Sequence, residues 1–298
     1  MKLMLTLLLA AFVATAAPKV IAVNVDSVVH PITVEIIGHA IDQASRENAA
    51  AVLLRLNTPG GLLDATREIN SRIVASHVPV IAYVTPSGGR AASAGFFLLE
   101  AADVAAMAPG TNTGASSPVL LGEQMDPVMR SKVENDTSAW LRSLVTKRGR
   151  NAELAEQTVR QAKAFTEKEA LDNHLLDLIA PDEQRLLDEL DGHEIKRFDG
   201  RAETLHTRGA EIVDYRASLR ERLIWRSPIL TPVIFLVLVN QIAQARTALD
   251  PAGTVFVRGE HWDAVSSVPV EQGGEVHVVG VNGMKLRVEP TDPPATRT

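Results

Sequence analysis

The sequence predicts an α/β fold built on a parallel sheet, followed by a set of short strands. Two observations predict it. From Lys19 to Ala108, short apolar runs rich in β-branched residues alternate with amphipathic helical patterns. From Gly253 to Val288, short strand-like runs crowd together, and Asn282-Gly283 between two of them is a strong hairpin signal. A chain of 298 residues has room for one large domain and one small one.

Composition narrows the function. With 46% hydrophobic and 22% charged residues, the chain is an ordinary globular one. A net charge of −6 argues against nucleic-acid binding by phosphate neutralisation. The absence of cysteine excludes disulfide scaffolds, Cys-based zinc sites and thiol nucleophiles. No His/Asp/Glu spacing suggests a closed metal site, and no glycine pattern with its lysine suggests a phosphate site. No metal or cofactor is expected.

In chain order, residues 1–16 read as a secretory signal. Lys2 precedes an apolar run from Leu3 to Val13, and Ala14-Thr15-Ala16 is a small-x-small cleavage site. Export follows as the expectation. The main domain is expected over residues 17–200. Its strands are Val20–Val25, Ala51–Leu56, Val78–Val84 and Asp103–Ala108, unbroken apolar runs suited to strands buried on both faces. The first helix opens at Pro31, the second covers about Leu62–Val74, and the third begins near Ala91. Strands of such a sheet present their sites at their C-terminal ends.

Two loops stand at those ends. Asn57-Thr58-Pro59-Gly60-Gly61 can expose backbone N–H groups above the sheet, although a lone Pro-Gly-Gly is more often a plain turn. Ser87-Gly88-Gly89-Arg90-Ala91-Ala92-Ser93-Ala94-Gly95 places Ser93 among small neighbours at a helix N-terminus. There the helix dipole favours developing negative charge and the Ala94 N–H is free to donate. Alone, Ser93 would read as an N-cap; together the loops offer a hydroxyl and oxyanion donors.

A nucleophilic serine needs a base, and none of the eight histidines lies in a suitable motif. A neutral lysine can serve. Lys132 is the candidate. Asp126-Pro127 reads as N-cap and first helical residue, Gly149 as the helix end, and Lys132 sits beside the stripe Met129, Val133, Trp140, Leu141, Leu144. The alternative is a surface lysine paired with Asp136 at i+4.

The runs NTPGG, VPVIAYVTPSGGRAASAGFFLLEAAD, MAPGTNTGASSPV and FTEKEALDNHLLDLIA resemble, in that order, the ClpP/crotonase-fold serine peptidases. Among these, the membrane-bound NfeD-type proteases, related to signal peptide peptidase A, are the most similar. The resemblance covers about Lys19 to Asp182. It implies a Ser93–Lys132 catalytic pair and an oxyanion hole from the N–H groups of Gly60 and Ala94. Gly61, Ser116 and Ser117 are implied supports, the serines as groups that orient Lys132; the plain reading of both serines is turn chemistry. It also implies cleavage of apolar segments of membrane proteins, stomatin-like proteins as partners, homo-oligomerisation and membrane association.

Residues 201–249 are expected to link the domains. Within them Ser227 to Ala245 is an uncharged window of 19 residues, interrupted by Pro228 and Pro232. A single span, an interfacial helix and a subunit-contact helix all fit it. The family usually carries several spans here, so this chain departs from its pattern. Residues 250–290 resemble the small OB-like barrel that closes NfeD-type proteins, and 291–298 form a tail. Two other readings stand beside the peptidase: a non-catalytic membrane scaffold, and a crotonase-type acyl-CoA enzyme, which export and the serine–lysine pair argue against.

Overall fold

The computed structural model describes residues 17–119, 126–218, 221, 241–257, 260–282 and 285–291. The expected signal at 1–16, most of the apolar window and the tail from 292 lie outside them.

The first unit runs β1 (Lys19–Val25), α1 (Pro31–Glu47), β2 (Ala51–Leu56), α2 (Leu63–Ala75), β3 (Val80–Val84), β4 (Arg90–Ala92), α3 (Ala94–Ala101), β5 (Val104–Met107) and β6 (Asn112–Gly114). It continues through α4 (Pro127–Arg148), α5 (Ala152–Arg160), β7 (Ala164–Thr166), α6 (Glu167–Asp172), β8 (Leu178–Ile179), α7 (Glu183–Leu190), β9 (Glu194–Lys196), β10 (Ala202–Thr204) and β11 (Glu211–Asp214). The main sheet is parallel throughout, in the order β11-β1-β2-β3-β5-β8.

Period-two alternation divides its side chains between two cores. Val23, Leu54, Ala82 and Ala105 face the layer of α1, α2, α3 and α4. Ala22, Leu53, Tyr83 and Ala106 face the layer that contains α7. Both faces are covered, which is why these strands read as continuous apolar runs. A second, small sheet, β4-β6-β7, stands beside the main one.

The expected strands and the first two helices are found within a few residues of their predicted bounds. The third helix differs: Arg90–Ala92 is a strand, and the helix begins at Ala94. Ala91 and Ala92 suit a helix locally, but tertiary bonds decide here. Thr58 N–H donates to Arg90 O at 2.7 Å, and Ala92 N–H donates to Thr58 O at 3.1 Å.

The second unit is a closed five-stranded barrel of β12 (Ile242–Ala245), β13 (Ala252–Val257), β14 (Glu260–Ser266), β15 (Glu275–Asn282) and β16 (Lys285–Pro290), ordered β12-β13-β14-β16-β15. Its own core contains Val255, Trp262, Val276, Val278 and Leu286. Both expected boundaries move. β11 pairs with β1, so the first unit extends past residue 200 to Asp214. Ile242–Ala245, inside the uncharged window, is a barrel strand with alternating exposure, so the barrel begins before 250. Among the described residues, no helix is long and apolar enough to cross a membrane.

Candidate active site

The two loops singled out by sequence are bonded to one another. Besides the Thr58 bonds to β4, Thr58 Oγ1 donates to Ser27 O at 2.7 Å and accepts from Gly60 N–H at 3.1 Å. Val29 N–H donates to Gly60 O, and Leu62 N–H to Val29 O, each at 2.8 Å. The Pro-Gly-Gly corner is thereby clasped between the β1–α1 loop and the strand before Ser93.

Ser93 occupies the N-cap position of α3 with φ 52° and ψ −114°, and its side chain makes no capping hydrogen bond. Such a conformation in a non-glycine residue costs about 1–3 kcal/mol and persists only where surroundings impose it. Here Ser93 N–H donates to Gly114 O at 2.8 Å, while Phe96 N–H donates to Ser93 O at 3.0 Å. The reading of Ser93 as a simple cap therefore does not hold. Its hydroxyl has no hydrogen-bond partner among the described residues, and it lines a cleft with Pro59, Gly60, Gly61 and Ala94.

The glycine beside it is required by space. A Cβ on Gly60 would lie 2.6 Å from Ser93 Cβ and 3.1 Å from Ser93 Oγ, and Gly60 itself has φ 118°. Gly60 was expected to supply an oxyanion donor. Its N–H is instead taken by Thr58 Oγ1. The N–H groups of Gly61 and Ala94 have no acceptor among the described residues. Gly61 pairs as an isolated parallel bridge with Val29, which directs its N–H away from that neighbour.

Ser116 and Ser117 line the same cleft, but their hydroxyls are engaged elsewhere. Ser116 Oγ donates to Gly114 O at 3.3 Å, the carbonyl that also receives Ser93 N–H. Ser117 Oγ donates to Val159 O at the end of α5. Neither bonds to Lys132. They brace the loop that supports Ser93.

The α4 helix has the caps expected of it: the Asp126 carboxylate accepts from Val128 and Met129 N–H, and Gly149 ends the helix at φ 74°. Met129, Val133 and Thr137 turn toward the cleft. Lys132 does not: it is exposed and is not among the cleft-lining residues. The structure thus brings Ser93, Ala94, Gly60, Gly61, Ser116 and Ser117 together and leaves Lys132 at the rim. The alternative, a surface pair with Asp136, is not found among the described residues either: Asp136 binds Arg67 of α2.

The far ends of α3 and α4 are locked together. Arg150 donates to the carbonyls of Glu100 and Ala102 and pairs with Asp177 at 2.7 Å, and Arg148 pairs with buried Asp103 at 2.7 Å. Nearer the cleft, Phe97 stacks on Trp140 with centroids 4.5 Å apart. Sequence reading missed Thr58 and Gly114. Thr58 carried a signal, a Thr directly before Pro-Gly-Gly, but its role depends on three segments meeting.

A family model described as the N-terminal domain of NfeD1b matches residues 19–213. The chain belongs to the NfeD1b family. A second model, the NfeD-like C-terminal, partner-binding domain, matches residues 237–290, the region of the barrel. The chain is 36% identical over 184 residues to the membrane-bound protease PH1510 of Pyrococcus horikoshii, covering 61% of this chain and 42% of that protein. It is 36% identical over 83 residues to the membrane protein NfeD1b of Bacillus subtilis, covering 28% of this chain and 18% of that one. The chain thus spans less than half the length of these relatives. Among solved structures, a lysine-to-alanine mutant of the 1510-N membrane-bound stomatin-specific protease, in complex with a substrate peptide, is similar with TM-score 0.65. Its identity is 33%, covering 70% of this chain and 97% of that one. A serine-to-alanine mutant of the same protease is similar with TM-score 0.64 and 33% identity, covering 68% of this chain and all of that one.

Proposed function

We propose that this NfeD1b-family chain is a serine endopeptidase in which Ser93 is the nucleophile and Lys132 its base. The observation that carries the reading is Ser93 itself: a strained, uncapped serine at a helix N-terminus, whose hydroxyl and neighbouring Ala94 N–H have no partner among the described residues. Neutral Lys132 takes the Oγ proton as Oγ bonds to the scissile carbonyl carbon. The oxyanion is held by Ala94 N–H and by Gly61 N–H, the glycine donor that Thr58 leaves free. Lys132 then gives its proton to the leaving amine as the C–N bond breaks. It next takes a proton from water as the water oxygen attacks the ester, and returns it to Ser93 Oγ as the Oγ–C bond breaks and the acid leaves. The exposure of Lys132 requires the first turns of α4 to close on Ser93 when substrate binds; catalytic contacts are often long before that step.

Substrate class follows from the rim. Val28, Leu62, Val119 and Met129 are exposed large apolar side chains, 46–76% accessible, and all four line the cleft. Apolar side chains gathered at a cleft mouth mark a binding surface for apolar partners. Apolar segments of membrane-associated proteins fit it, and stomatin-like proteins are the proposed partners, since the solved relative is a stomatin-specific protease. Export, membrane association and homo-oligomerisation belong to the same proposal.

The exposure of Lys132 favours a second reading, a non-catalytic scaffold that works through the barrel. Peptide hydrolysis separates the two. The full chain in detergent is offered apolar and charged peptides across pH 6–10, beside Ser93→Ala and Lys132→Ala. Cleavage of apolar peptides by wild type alone, rising toward alkaline pH, is the expected result. Folded wild type as silent as both variants supports the scaffold.

A further inference from the structure

Arg67 has no part in the chemistry above, yet it holds a carboxylate placed to interfere with it. Asp136 lies one helical turn after Lys132, at i+4, where oppositely charged side chains on a helix pair. A lysine so paired is the poorer base, because the carboxylate favours its charged form. In the structure Asp136 is turned to α2 and bound by Arg67 Nη2. Arg67 is itself fixed from beneath: its guanidinium lies 4.4 Å from the ring centroid of Trp140, and Trp140 stacks on Phe97 of the Ser93 helix.

Charged groups stand on α4 and on the neighbouring helices α2, α3 and α5, with Glu35, Asp42, Asp263 and Lys285 on other walls of the cleft. On α4, Arg130 and Glu134 face each other at 3.9 Å, and Glu134 is at i+2, off the Lys132 face. On α5, Glu156 is held by Arg142 and Arg160, and Arg160 also donates to Asn135. On α2, Asp64 and Glu68 line the cleft wall. The charged residue of α3, Glu100, is buried at its far end. Among residues three or four positions from Lys132 on its own helix, Asp136 alone is charged.

We propose that Arg67 is a positioning residue which sequesters Asp136 and so keeps that carboxylate from pairing with Lys132. This rests on the Ser93–Lys132 reading. The test uses the full chain in detergent with its lysines reductively ¹³C-methylated, so that NMR reads the Lys132 titration midpoint independently of turnover. Arg67→Met keeps an unbranched stem over Trp140 and releases Asp136. The midpoint is expected to rise by about 0.3 pH unit, the scale of an exposed i,i+4 pair. Adding Asp136→Asn should return it to the wild-type value, and Arg67→Lys, which keeps a cation beside Asp136, should leave it there. The pH–kcat/KM profile should move in parallel.

An Arg67→Met midpoint that matches wild type overturns the inference, as does a shift that Asp136→Asn leaves in place. A purely structural role would change KM or melting temperature without this pattern of rescue. Activity surviving in Lys132→Ala is a different result: it removes the Ser–Lys reading, whatever the Lys132 midpoint does.

Discussion

Ser93 is held where a serine would not settle by itself. Its positive φ is imposed by the bond from its N–H to Gly114 O and by the helix that starts at Ala94. Gly60 completes the arrangement by coming closer than any side chain allows. Gly60→Ala is therefore expected to push Ser93, the proposed nucleophile, aside and lower kcat/KM by about 10²-fold or more, since a 1 Å displacement near reacting groups has that effect. Peptide hydrolysis with circular dichroism on the same sample checks this; a folded, fully active variant would contradict it. At this scale much was legible. Small residues around Ser93 and paired glycines in the facing loop are local signals. Which glycine N–H stays free was not legible, because Thr58 Oγ1 makes that choice and its direction is set by Ser27 O on another loop. The outward turn of Lys132 was likewise hidden: the helix phase placed it beside the apolar stripe, and the phase alone does not tell rim from interior.

The helices α3 and α4 form a frame fastened at two points. Phe97 stacks on Trp140 near the cleft, and Arg148 and Arg150 reach the carbonyl end of α3. Those carbonyls have no partner within the helix, so the arginines supply it. Glu100 lies inside this joint, fully buried, with both carboxyl oxygens lacking a hydrogen bond among the described residues and Arg150 Nη1 3.7 Å away. Burial pushes its pKa from 4.5 up to about 8, against the opposing pull of Arg150. The sign follows from proton counts. Between about pH 4.5 and 8 the folded chain keeps a proton that the unfolded chain has lost, so this group makes stability fall as pH rises through that window. Glu100→Gln is expected to flatten that part of the pH–stability curve, and melting temperatures at pH 5, 6.5 and 8 would show it. An unchanged slope would contradict the assignment. The bounds of α4 were readable from Asp126-Pro127 and Gly149, which act within the helix itself. The start of α3 was not, because bonds from Thr58 rather than local propensity keep Arg90–Ala92 extended.

At the scale of the whole molecule, β11 decides where the first unit ends. It covers the outer edge of β1 through four register pairs, from Lys19↔Glu211 to Ala22↔Asp214. Its sequence, Glu-Ile-Val-Asp, has only two apolar residues, too short a run to stand out before its partner is known. A chain of residues 17–218 is expected to keep the melting transition of the first unit, because the barrel has a separate core. Ending at residue 209 exposes the backbone edge of β1 and should lower the midpoint by several degrees, as about 1–2 kcal/mol does in domains of this size. Equal midpoints for the two truncations would show that β11 adds nothing. The parallel sheet was legible because buried strands write themselves as apolar runs. The barrel was legible through four of its strands and missed the fifth, Ile242–Ala245, whose uncharged sequence merges with the apolar window before it.

The central claim is that Ser93 is a nucleophile made reactive by Lys132. Active-site labelling tests it without any knowledge of the natural substrate. The full chain in detergent is treated with a serine-directed fluorophosphonate at pH 8.5, and the adduct is mapped by peptide mass spectrometry. The expected result is one phosphonylated site, Ser93, with none in Ser93→Ala and labelling slowed at least about 10²-fold in Lys132→Ala. No adduct on folded protein, or labelling of Ser93 at the same rate without Lys132, would contradict it.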